Sequence, residues 1–323
     1  MSVSAKQQRR MVLPELGVKK GKWRKIRKND YALYIMIFLP LLYFFLFKYI
    51  PMTDIVVSFK DYNMFQTVWS SPWAKDLLKY FKMAFSSKDF LRALRNTIVL
   101  NFLDLLVGFP VPIMIALLLN EVTVFKRFKR FAQTVLYMPH FLSWTIISGM
   151  AMLVLAPENG LVNILLSRMG AKTIPFLSNK YLWIATYVGL GIWQSAGYTA
   201  IVYLAAIAGI NPELYEAAEM DGAGRMRKIW HITLPGIRPT IVVMLILNLG
   251  RILNISFERP YTMGNYLVRN VSDVISTFVY RVGIQSQQFS LATAVGLFQS
   301  VVCVIFLVAA NIICERLGER GIW

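Results

Sequence analysis

Long apolar runs alternate with short charged stretches along this chain, and their spacing predicts six membrane-spanning helices. The first run, residues 31–49, is close to the roughly 20 residues that a bilayer requires. The second, 96–120, contains Pro110 and Pro112, which predict a kink. The third, 131–155, carries Pro139 and His140, and the fourth covers 181–207. The fifth is read as one helix over 236–257 and the sixth as 289–313. Polar segments separate them: 1–30 is a basic tail, and 51–95 is a mixed external segment with Trp69 and Trp73 suited to an interface. Residues 156–180 form an external loop, and 258–287, also external, hold an amphipathic piece near Val271 to Val282; 314–323 is a short tail. The predicted class is all-α and polytopic, with a five-helix core over 96–313 and the first span wrapped around it.

Composition supports this reading. Of 323 residues, 56% are hydrophobic and 16% charged, against roughly a quarter charged in ordinary globular proteins. A net charge of +18 would suit nucleic acid, but its placement argues otherwise. Lys and Arg are densest in the tail and at Lys126, Arg127, Lys129 and Arg130. That is the bias that orients membrane proteins with basic segments inside. It places both termini and the 209–235 loop in the cytoplasm, with the tail against lipid and no signal-peptide core within it. Cys303 and Cys314 share one helix at a spacing that a disulfide cannot bridge. Two histidines, His140 and His231, give no metal cluster.

One polar stretch, 211–235, carries its own helix punctuation. Asn211 is a good N-cap, Pro212 suits the first helical position, and Glu213 complements the helix dipole. Leu214, Ala217, Ala218 and Asp221 follow on one face; Gly222 and Gly224 then break the helix. A second short run places Met226, Ile229 and Trp230 together, and Pro235 marks the return to the membrane. Such a hairpin is suited either to docking in a groove or to lying on lipid.

Glu216-Ala217-Ala218, Gly222 and Ile232-x-Leu234-Pro235 match in type and spacing the EAA signature of bacterial ABC importer permeases of the maltose-transporter type. Together with the flanking 137–141 and 211–216 segments, the chain resembles the carbohydrate-uptake permeases, closest to the oligosaccharide and polysaccharide-fragment branch, over roughly residues 28–323. The resemblance implies the type I permease fold and a bacterial plasma-membrane location. It implies pairing with a second permease and delivery of carbohydrate by an extracytoplasmic solute-binding protein. It also implies an ATPase dimer that takes the loop through Glu216, Ala217, Ala218, Gly222, Met226, Ile229, Trp230, Leu234 and Pro235. ATP and Mg²⁺ would belong to those ATPases, because this chain has no phosphate-cradling G-x-x-x-x-G-K-[ST] stretch and no cofactor of its own.

Ionisable groups at bilayer depth are costly and often functional. Asp104 and Arg251 lie at matching depths, roughly 12 Å and roughly 9 Å from the external ends of their spans. They are expected either to pair or to face one aqueous cavity. Gln194, Asn248 and Asn254 can bond sugar hydroxyls, and Trp193, Tyr198 and Phe257 can stack on sugar faces. Two other readings stay open: an ABC permease for a non-sugar solute such as a polyamine, and a secondary transporter. The second would need coupling carboxylates and inverted repeats, of which only Asp104 is found.

Overall fold

A computed structural model describes residues 31–122, 125–316 and 318. The expected basic tail and the end of the chain beyond 318 lie outside them. The chain divides into two units, Met1–Asp54 and Ile55–Trp323. In the first, a helix over Tyr31–Phe44 runs through a π turn, Phe45–Tyr49, into Ile50–Met52. Apart from that π turn, everything below concerns the second unit.

Apolar periodicity forms helices there, and among the described residues the only β pairing is an isolated bridge between Lys60 and Trp73. Four helices long and apolar enough to cross a membrane lie largely within this unit: Lys88–Glu121, Lys180–Ala208, Arg225–Leu249 and Phe289–Arg316. A fifth crossing is bent by 103° between Lys126–Phe141 and Trp144–Leu155. Pro139 sits in the 3-10 turn that ends the first arm. Leu142 is extended, and Ser143 caps the second arm by accepting from the Ile146 N–H. The expected third span, 131–155, is therefore an elbow.

Prolines also explain three of the four π turns among the described residues, all but Arg281–Gln285. Phe45–Tyr49, Asp104–Gly108 and Ile229–Thr233 each end two residues before a proline, namely Pro51, Pro110 and Pro235. A proline ring clashes with the carbonyl one turn back and brings no N–H. Widening the preceding turn by one residue relieves the clash and lets the helix continue. So the second crossing runs unbroken over Lys88–Glu121, and the fifth begins at Arg225, inside the polar loop.

At its other end the fifth crossing is shorter than expected. The helix stops at Leu249, and residues 250–257 are turn and extended chain. Carbonyls freed inside the bundle need donors, and neighbouring helices supply them. Asn101 Nδ2 donates to the Ile252 carbonyl (2.7 Å) and Gln299 Nε2 to that of Leu253 (2.8 Å).

Segment 258–287 packs into the core of this unit. Val268, Val274, Ile275 and Phe278 are buried between the Lys88 and Lys180 helices and the final helix. Asn96 Nδ2 donates to the Asn270 and Asp273 carbonyls, and Thr97 Oγ1 accepts from the Ile275 N–H. Buried Asp273 receives a two-pronged bond from Arg281, at 3.0 and 2.8 Å. Hydropathy averaging hid this segment because these polar groups satisfy one another internally.

Candidate functional site

Where the fifth helix breaks, a cavity of about 270 Å³ opens beside the Lys88–Glu121 and Lys180–Ala208 helices. Asn101 and Asp104 line it from the first of these, Ser195, Thr199 and Tyr203 from the second, and Asn248, Arg251 and Asn254 from the break. Asp104 and Arg251 thus share a cavity, the second of the two expected arrangements, and they do not pair.

Arg259 is the partner of Asp104. Its Nη1 donates to Oδ2 at 2.6 Å and its Nη2 to Oδ1 at 3.2 Å; Nη2 also donates to the Tyr187 carbonyl at 2.5 Å. The guanidinium lies over the Tyr187 ring at 3.7 Å and the Trp144 ring at 5.0 Å, a doubled cation–π contact. Gly191 makes the space, since a Cβ there would overlap the guanidinium itself. The cluster joins three helices to the helix Glu258–Met263, which Trp183 and Ser148 also hold. Trp183 Nε1 donates to the Met263 carbonyl, and the Ser148 and Thr262 hydroxyls share a bond. Sequence reasoning missed Arg259 because it lies just outside the longest apolar runs. The usable signal was the need of Asp104 for a cation.

The other expected sugar contacts divide. Asn248 and Asn254 line the cavity, although Asn248 Nδ2 already donates to the Met244 carbonyl. Gln194 and Tyr198 brace the elbow instead: Gln194 donates to the His140 carbonyl freed there, and Tyr198 stacks flat on the His140 ring at 3.9 Å. Phe257 packs in a trio with Tyr261 and Tyr280. Trp193 is exposed and is not among the cavity-lining residues. Arg251 has no carboxylate partner among the described residues, so the cavity holds one free guanidinium.

At the other end of the Lys180–Ala208 helix, the polar hairpin forms with the expected caps. Asn211 accepts from the Glu213 N–H, and Pro212–Met220 is helical. Gly222 takes φ +73°, and the Ala223 N–H closes the helix onto the Ala218 carbonyl. Lys228 clamps the two arms by pairing with Glu219 at 2.5 Å, and that bond lowers the Glu219 carboxyl below its usual range. Tyr215 and Thr233 share a hydroxyl–hydroxyl bond at 3.0 Å. Leu234 packs into the cluster of Tyr203, Ile207 and Ile237, so it seats the hairpin on the bundle. Ile229 is half-buried. Outward-facing residues are Leu214, Glu216, Ala217, Met220, Met226, Trp230 and Pro235.

Comparison with known proteins agrees with this layout. The sequence pattern of binding-protein-dependent transport system inner membrane components matches residues 92–319. Protein LplB of Bacillus subtilis (strain 168) is 44% identical over 96% of this chain and 97% of its own length. The polygalacturonan/rhamnogalacturonan transport system permease protein YteP of the same organism is 45% identical over 90% of each. A chain of a bacterial ABC transporter involved in the import of the acidic polysaccharide alginate superposes with TM-score 0.82 and 39% identity, over 90% of this chain and 98% of that one. A crystal structure of bacterial alginate ABC transporter in complex with alginate pentasaccharide-bound periplasmic protein gives 0.81 and 39%, over 91% and 98%.

Proposed function

Because the chain belongs to the family of binding-protein-dependent transport system inner membrane components, we propose that it is the permease of an ATP-driven importer and admits an acidic oligosaccharide. The observation that carries the substrate class is Arg251, a guanidinium without a carboxylate partner among the described residues, in a cavity whose other polar lining is amides, hydroxyls and the Asp104–Arg259 pair. A uronate offers the matching carboxylate, and its hydroxyls suit Asn101, Asn254, Ser195 and Thr199. The similarity to proteins named for polygalacturonan and alginate transport supports the same class. A polyamine fits poorly: Asp104 is the one carboxylate lining the cavity and Arg259 already neutralises it.

At about 270 Å³ the cavity is below the roughly 300–1,000 Å³ usual for ligand pockets. A chain of sugars therefore needs a second wall, which a second permease subunit supplies. The solute-binding protein delivers cargo at the end carrying Lys88 and Lys180, taken as external. The hairpin meets the ATPase dimer, with its ATP and Mg²⁺, in the cytoplasm. Closure of that dimer moves the hairpin, and the spans attached to it rock to expose the cavity on alternate sides.

The test is uptake by the reconstituted complex. Arg251→Gln should raise KM for an oligouronate by about tenfold to a hundredfold, the value of one charge-assisted hydrogen bond. KM for a neutral oligosaccharide of equal length should not move. Equal changes for both cargoes would remove the charge argument.

A further inference from the structure

At the end of the bundle away from the hairpin, the helices Lys88–Leu103 and Lys180–Ala208 start beside an open groove of about 780 Å³. Lys88, Arg92, Arg95 and Val99 form one stripe of the first helix, at i, i+4, i+7 and i+11. Lys180 adds a fourth cation from the second helix, and no carboxylate among the described residues lines the groove. Arg92 is shared with Asp89 at 2.6 Å and Asp273 at 4.0 Å, and Arg95 donates to Asn96 Oδ1 and the Asn270 carbonyl, while Lys88 and Lys180 pair with no carboxylate among the described residues. Beside this basic rim the lining is mostly apolar, with Leu91, Val99, Leu100, Ile184 and Val271, and Tyr181, Asn96 and Asn270 complete it.

The position argues against a role in the sugar path. At about 100° per residue, the Lys88–Arg92–Arg95–Val99 stripe is roughly half a turn around the helix from Asn101, Asp104, Leu105 and Gly108, which line the central cavity. A sugar would also find few hydroxyl partners on an aliphatic floor. Cations at the ends of two spans, above an apolar cleft between them, match an amphiphile whose head is anionic.

We propose that this groove binds an anionic phospholipid, its phosphate among Lys88, Arg92, Arg95 and Lys180 and one acyl chain along the aliphatic floor. Charge complementarity and the change from basic rim to apolar floor together select this occupant. The lipid belongs to the leaflet at the Lys88 end; calling that leaflet the outer one is the single point resting on the orientation proposed above.

Native mass spectrometry tests the site on the full chain co-purified with its partner subunits in neutral detergent. Phosphatidylglycerol should bind as one retained molecule, and phosphatidylcholine should not. Lys88→Gln with Lys180→Gln should weaken phosphatidylglycerol about thirtyfold, from roughly fivefold per surface cation. Val99→Trp, which fills the floor and leaves every charge in place, should displace the lipid too. Lys82→Gln, whose lysine pairs with Asp76 away from the groove, should change nothing. Equal retention of both lipids, or indifference to both groove variants, overturns the proposal. So does displacement by glycerol phosphate at the same concentration, which marks a soluble-anion site. Binding to the isolated chain but not to the complex overturns it as well, because the groove would then be a subunit interface. Since the readout is lipid retention, failed uptake of oligouronates would sink the transport reading and leave this one standing.

Discussion

Arg259→Gln is expected to lower the stability of the bundle by about 3 kcal/mol. Losing one partner of a buried pair costs about 3–5 kcal/mol. The lower end applies because the Asp104 side chain keeps 28% exposure, against 12% for Arg259. Glutamine cannot span both Asp104 oxygens, and it gives up the contacts with the Tyr187 and Trp144 rings and part of the bond to the Tyr187 carbonyl. The measurement is the thermal unfolding midpoint of the purified complex, with and without Asp104→Asn. Asp104→Asn removes the stranded charge, so the double variant should lose clearly less than the two single losses added. Strict additivity would mean that the pair does not act as a unit. Gly191→Val offers an independent route, because its Cβ takes the place of the guanidinium while both charges remain. It should impair stability and uptake together, as Arg259→Gln does. A Gly191→Val protein of normal stability would show that the close approach is dispensable.

The same cluster shows what could be read from the chain and what could not. Helical class and the number of crossings follow from apolar run length, a local quantity, and so did the hairpin caps at Asn211, Pro212 and Gly222. Asp104 stood out because a carboxylate in an apolar run is expensive wherever it folds. Its partner did not, because Arg259 is 155 residues further along and only the break after Leu249 turns the chain back toward it. That break was hidden for a related reason. Residues 250–257 are apolar enough to continue a helix, and the amides that compensate the broken backbone, Asn101 and Gln299, come from other helices. Gln194 and Tyr198 looked like sugar contacts from their types alone, but the elbow at Pro139 takes both of them. The π turns were legible in principle, since three of them stand at one fixed distance before a proline.

Trp230→Ala should separate docking from folding at the hairpin. Trp230 is 63% exposed, so its truncation should change stability by no more than about 0.5 kcal/mol, as at other surface positions. Exposed tryptophans that enter a partner's groove are binding hot spots, and losing one costs about 2 kcal/mol or more. Association with the ATPase subunits should therefore weaken at least about thirtyfold, while the unfolding midpoint of the permease stays in place. Glu216→Ala should act in the same direction, because its carboxylate is exposed and has no partner among the described residues. Leu234→Ala is the contrasting case. Leu234 is packed with Tyr203, Ile207 and Ile237, so this change should lower the midpoint and loosen the hairpin from the bundle. Hydrolysis stimulated by cargo-loaded binding protein then gives the decisive comparison. With Trp230→Ala it should fall toward the basal rate even when excess ATPase subunits restore occupancy only in part. Full stimulation and full association would mean that force reaches the spans by another route. A lowered midpoint would mean instead that Trp230 rests on lipid or on the bundle, and that the outward face of the hairpin is not its docking face.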